Sequence, residues 1–152
     1  MLAPTVLHRT TILVVDDEEQ LRRLVAQVLE DDGYRVITAR DGRAALALLQ
    51  HPGPPVQLVV TDVSMPNMSG PELARFLRAD PAAPAVLFMS GETNGTAVPG
   101  PILSKPFQPQ ELSRMVQEML TGRYRSGAGA GREPRRPWQR PERSEVERSV
   151  LN

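Results

Sequence analysis

The chain contains no cysteine and a single lysine, and only six of its 152 residues are aromatic. Without cysteine there is no disulfide framework, no thiol nucleophile and no thiolate metal site, and a reducing cytoplasm is the expected compartment. No window approaches the roughly 18 uninterrupted apolar residues that span a bilayer. The stretch from Met1 to Thr10 has neither the basic start nor the apolar core of an export signal, so no membrane insertion is expected. Net charge is missing too, since 18 basic and 18 acidic side chains cancel.

That zero averages two unlike parts. Eight Arg and four Glu fall between Thr121 and Asn152, leaving ten basic and fourteen acidic side chains before them. The second part, with Gly-Ala-Gly-Ala-Gly at 127–131, three Pro and few apolar side chains, Trp138 among them, buries too little surface to offset ordering entropy. Residues 121–152 are therefore expected to be a disordered tail, residues 1–9 an N-terminal extension, and residues 10–120 the single folded domain that this length accommodates.

Within 10–120, apolar runs alternate with helical stripes. Thr11 to Val15 is a run without polar alternation, the pattern of a strand buried on both faces, and it ends on Asp16-Asp17-Glu18-Glu19. Leu21, Leu24, Val25, Val28 and Leu29 then form one helical stripe, which Asp31-Asp32-Gly33 stops. A second strand is predicted from Tyr34 to Ala39, and Asp41 can cap a helix with Ala45, Leu48 and Leu49 inward. Gln57 to Thr61 is a third strand finishing on Asp62. Ser69-Gly70-Pro71-Glu72 has the form of a capping box for a third helix. Ala85 to Met89 is a fourth strand, Ile102-Leu103 a short fifth, and Leu112, Met115, Val116, Met119 and Leu120 mark a last helix. Such alternation predicts an α/β fold, a doubly wound five-stranded parallel sheet covered on both faces.

In open parallel sheets, ligands bind beyond the carboxyl ends of the strands. Asp16, Asp17, Asp62, Ser90 and Lys105 all fall there, from four strands. Taken singly, an aspartate at a strand end is more often a turn former or helix cap, and Asp17 and Glu18 also suit the positive end of the first helix. Taken together, three carboxylates repel one another, and a hard divalent cation such as magnesium explains the cluster most simply.

The ordered set Val14-Val15-Asp16-Asp17-Glu18, Thr61-Asp62-Val63-Ser64-Met65-Pro66, Met89-Ser90-Gly91 and Lys105-Pro106-Phe107 resembles the receiver domain of two-component response regulators, over about residues 10 to 120. The resemblance implies a flavodoxin-like receiver fold in which Asp62 accepts a phosphoryl group from the phosphohistidine of a sensor histidine kinase or phosphotransfer protein. It implies that Asp16, Asp17, Asp62 and the backbone carbonyl of Ser64 hold Mg2+, that Lys105 and Ser90 meet the phosphoryl oxygens, and that Pro106 follows a cis bond. Phosphoryl transfer asks for positioning and positive charge rather than acid-base machinery, which agrees with these roles. Gly91 leaves room beside the Ser90 hydroxyl. Glu92 and Ser64 flank the approach of water and should influence dephosphorylation.

Two departures stand out. Members of this family usually carry a helix between the fourth and fifth strands, but the 14 residues from Gly91 to Ser104 include Gly95, Pro99, Gly100 and Pro101 and have no apolar period. That helix is predicted to be shortened or missing. Ile102 stands three before Lys105, where the family often has an aromatic switch residue, so the usual readout cannot operate unchanged. Similar shortened segments occur in receivers of hybrid histidine kinases, which fits a relay or adaptor.

The reading is a stand-alone, phosphorylatable receiver, a switch rather than an enzyme with an external product, signalling through contacts with a downstream protein. The alternative is a phosphorylation-independent interaction module with an atypical output face. The Arg residues of the tail are interspersed with Glu, and no nucleic-acid partner is expected.

Overall fold

The computed structural model describes residues 9–51, 53–81, 83–91 and 98–122. The elements are β1 (Thr11–Val15), α1 (Glu19–Asp31), β2 (Arg35–Ala39), α2 (Gly42–Gln50), β3 (Val56–Asp62), α3 (Gly70–Arg78), β4 (Ala85–Ser90), β5 (Ile102–Ser104) and α4 (Pro109–Leu120). All five strands are parallel, in the order β2-β1-β3-β4-β5. Residues 1–8 of the N-terminal extension and the tail beyond Gly122 lie outside the described residues, as do residues 92–97. Among the described residues no helix lies between β4 and β5.

Alternation along the buried strands builds a core on each face. Ile12 and Val14 of β1 with Leu58 and Val60 of β3 pack on one face under Val25 and Leu29 of α1 and Leu112 and Val116 of α4. Leu13, Val15 and Val59 pack on the other under Ala45 and Leu49 of α2 and Leu73 and Leu77 of α3. β1 is fully buried on both sides, and from Ile12 to Val15 it is apolar throughout, as its composition foretells; the Thr11 hydroxyl at its start is buried without a hydrogen bond.

The helix ends follow local chemistry. Asp41 Oδ1 accepts from the Ala44 N–H at 2.8 Å and Ser69 Oγ from the Glu72 N–H at 3.2 Å, each relieving an orphan donor of the first turn. β2 begins one residue later than its apolar pattern suggests, because the Tyr34 N–H donates to the Leu29 carbonyl and closes α1 instead of joining the ladder. A register shift at the start of β3 sets Val56 opposite Thr11 and Leu58 opposite Ile12. Gln57, the residue left over, accepts from the Thr11 N–H through its side-chain Oε1 at 2.8 Å. The bulge thereby turns Val56 into the α2 and α3 core.

The connection from β4 to β5 is held against the sheet by three contacts. The Phe88 N–H donates to the Pro101 carbonyl, Arg78 at the end of α3 donates to the Pro99 carbonyl at 3.0 Å, and Gly100 lies over the Phe88 ring, where a Cβ would come within 3.1 Å of it. Phe88 is fully buried.

Between β3 and α3 the chain turns sharply at Asn67, whose φ is 68°. The Met68 N–H reaches back to the Pro66 carbonyl at 2.8 Å, closing a γ-turn around Asn67. Left-handed backbone costs a β-branched residue about 1–2 kcal/mol. Asn67→Gly should therefore leave stability unchanged or raised, while Asn67→Val lowers it by that amount in urea denaturation. Equal midpoints for the two variants would contradict the turn geometry.

Candidate functional site

β1, β3, β4 and β5 end side by side, and the polar residues that follow their apolar runs meet at that edge. One carboxylate oxygen from each of Asp16, Asp17 and Asp62 lies within 4.8 Å of the others. Lys105 Nζ sits among them, 3.1 Å from Asp62 Oδ1 and 3.6 Å from Asp16 Oδ2. Its side chain is 21% exposed, against 13% for Asp62 and none for Asp16, so these charges are sheltered from most of the solvent screening that weakens surface pairs.

Lys105 is delivered by the backbone. Ser90 and Ser104 are register partners at the end of the β4–β5 ladder, and the Lys105 N–H then donates to the Ser90 carbonyl at 2.7 Å. Ser90 and Lys105 are thus placed by one pairing, and the Lys105–Pro106 peptide is cis, as the motif implies. Ser64 shares with Asp17 an open depression completed by Met65, Ser69 and Pro71. Asp16, Asp17, Asp62, Ser64, Ser90 and Lys105 therefore all lie at the same strand edge. Glu92 falls outside the described residues.

Asp16 is the most constrained of the acids. Its N–H donates to the Ala39 carbonyl, its Oδ1 accepts from the Glu18 N–H at 2.9 Å, and its main-chain oxygen accepts from Arg22 Nη1 at 2.8 Å. Its Oδ2 is buried without a hydrogen bond, with the Lys105 ammonium beyond bonding distance. An orphaned buried carboxylate oxygen facing two further carboxylates fits a hard divalent cation of the magnesium type.

The Asp16 carboxyl is held above its ordinary pKa, first by burial, with Asp62 and Asp17 adding to the rise, while the Glu18 N–H and Lys105 oppose it. The folded protein thus holds this proton more readily than the unfolded chain does. Metal-free stability accordingly falls as pH rises from the ordinary carboxylate value through the raised one. In the presence of a chelator, Asp16→Asn should melt above the parent at neutral pH, and the gap should close below the ordinary carboxylate range. A lower melting temperature at neutral pH would mean that pairing with Lys105 outweighs burial.

Two contributors are not evident in the sequence. Gly70 opens α3 directly against the end of β3, where a Cβ would lie 2.3 Å from the Asp62 carbonyl oxygen and 3.3 Å from Thr61 Cγ2. The one available signal is a glycine just inside a serine-capped helix, where capping does not require it. Arg22 is the other. Its signal is a long donor one turn into the helix that follows the acids.

Comparison with known proteins agrees with this fold. A family model for the response regulator receiver domain matches residues 12–117. The sensor kinase CckA of Brucella abortus is 36% identical over 117 residues, covering 72% of this chain and 12% of that protein. The DNA-binding response regulator MtrA of Mycobacterium tuberculosis is 33% identical over 118 residues, covering 74% of this chain and 51% of that protein. The chain spans about half the length of the curated regulators it matches. Among solved structures, chemotaxis response regulator CheY4 of Vibrio cholerae superposes with a TM-score of 0.66 at 35% identity, covering 74% of this chain and 99% of that one. The receiver domain of hybrid histidine kinase CckA superposes at 0.63 with 33% identity, covering 72% and 98%.

Proposed function

The chain belongs to the family of response regulator receiver domains, the phosphoacceptor modules of two-component signalling, and on that footing we propose that Asp62 accepts a phosphoryl group from the phosphohistidine of a sensor histidine kinase or phosphotransfer protein. The observation that carries the reading is the Lys105 ammonium set between Asp62 Oδ1 and Asp16 Oδ2. An Asp62 oxygen forms the new bond to phosphorus as the bond to the imidazole nitrogen breaks, and the ring nitrogen leaves with the electron pair. The product is an acyl phosphate.

Charge on the equatorial oxygens must be met as the group passes. Lys105 faces one of them and the Ser90 hydroxyl donates to another, both held by the β4–β5 ladder. Asp16, Asp17, Asp62 and the Ser64 carbonyl would hold magnesium, which when bound would supply positive charge at the third. The Glu18 N–H and Arg22 keep Asp16 turned toward this cluster.

We place this activity in residues 10–120 and assign the chain a switch role in the cytoplasm, without an external product. No helix among the described residues is long and apolar enough to cross a membrane. We propose output through a protein partner rather than nucleic acid, at a face that includes the exposed Ile102 of β5. Incubation of the full chain with acetyl phosphate and magnesium, followed by intact-mass measurement, should show one added phosphoryl group that depends on Asp62. Partner binding that is equal for the parent and Asp62→Asn, with or without phosphodonor, would favour the phosphorylation-independent interaction module.

A further inference from the structure

The Asp16 carbonyl accepts its bond from a guanidinium rather than from the main chain of a neighbouring strand, and we infer that Arg22 is a positioning residue of the cation site, fixing the peptide between Asp16 and Asp17 so that both carboxylates face Asp62. The inference rests on the proposed role of the acid cluster and adds to it a residue outside that cluster. Asp16 lies one residue beyond β1, where the ladder has ended. Its N–H and Oδ1 are tied to Ala39 and Glu18, and its carbonyl would be free to rotate if Arg22 did not hold it. Arg22 is itself fixed, half-buried in the first turn of α1 with its N–H on the Glu18 carbonyl at 2.9 Å. Asp16, Glu18 and Arg22 therefore form one closed unit. Rotation of the 16–17 peptide would carry Asp17, the exposed and least constrained acid, out of the cluster. Magnesium demands near-ideal octahedral geometry and tolerates little displacement of its carboxylates.

Charge and position act in opposite directions here, which makes the inference testable. A guanidinium beside an anionic site repels an incoming cation, so deleting a purely electrostatic Arg22 would tighten magnesium binding. Deleting a positioning residue loosens it, typically by about tenfold or more. The experiment is calorimetric magnesium titration of the full chain, comparing the parent with Arg22→Met, which keeps the stem and helix propensity but removes charge and donors. Arg22→Lys, which restores one charged donor, should recover most of the affinity. A dissociation constant raised about tenfold in Arg22→Met is expected, and an unchanged or lower one overturns the inference. Should Arg22→Met not fold, Arg22→Leu, which also lacks charge and donors, is titrated and judged by the same criterion. A parent that takes up no magnesium would remove the proposed function itself, so the two failures are distinguishable.

Discussion

Asp62→Asn should reduce phosphoryl incorporation to background, the largest effect expected of any single substitution in this chain. The carboxamide is neutral and a poor nucleophile, and it removes one of the three carboxylates that lie within 4.8 Å of each other. It also makes neutral the partner in the shorter contact of Lys105, at 3.1 Å. Nothing in the fold requires the charge. Asp62 is only partly buried, and replacing it relieves repulsion with Asp16, so the variant should melt no lower than the parent in the presence of a chelator. A folded protein that no longer gains mass from acetyl phosphate isolates the chemical role. An equal gain in the Asn variant would move the acceptor elsewhere and sink the assignment.

Gly70→Ala should be the most damaging substitution of a residue that contributes no side chain. The added methyl would meet the Asp62 carbonyl oxygen at 2.3 Å, and the Gly70 N–H is already committed to the Val63 carbonyl at 3.0 Å. Both neighbours are backbone, so neither can rotate away. Either the end of β3 or the start of α3 has to move, at a cost of about 2–3 kcal/mol, and movement of β3 displaces Asp62 itself. Gly42→Ala supplies the control. Its methyl meets Met68 Cγ at 2.7 Å, but a flexible thioether chain can repack. Urea midpoints should fall further for Gly70→Ala than for Gly42→Ala, with phosphorylation impaired only in the former. The reverse order would show that the α3 junction is more pliable than its contacts suggest.

What the sequence makes legible is whatever depends on local periodicity or on a short motif. Thr11 to Val15 reads as a buried strand because no polar residue interrupts it, and Asp41 and Ser69 read as caps because their side chains satisfy donors a few residues away. The acids, Ser90 and Lys105 are legible as a set because the end of a parallel strand is a functional address. Features that depend on contact between distant segments are not. The bulge at Gln57 answers to Thr11, 46 residues earlier. The need for glycine at 70 comes from the Asp62 carbonyl, and the need for glycine at 100 from the Phe88 ring. Neither partner can be inferred from neighbours in the chain. Arg22 lies only six residues from Asp16, yet its bond goes to a main-chain oxygen, and side-chain patterns say nothing about which carbonyls lack partners.

Lys105 has a practical consequence that follows from its isolation. It is the only ε-amine among 18 basic residues, and it stands 21% exposed at the centre of the acid cluster. Amine-selective acylating reagents therefore have one side-chain target, and its reactivity depends on what shares the cluster with it. Any cation or phosphoryl group that enters alters the field and the access at that nitrogen. The extent of acylation at Lys105, read by peptide mass mapping so that it is separated from acylation of the α-amine, becomes a footprint of site occupancy that needs neither radiolabel nor antibody.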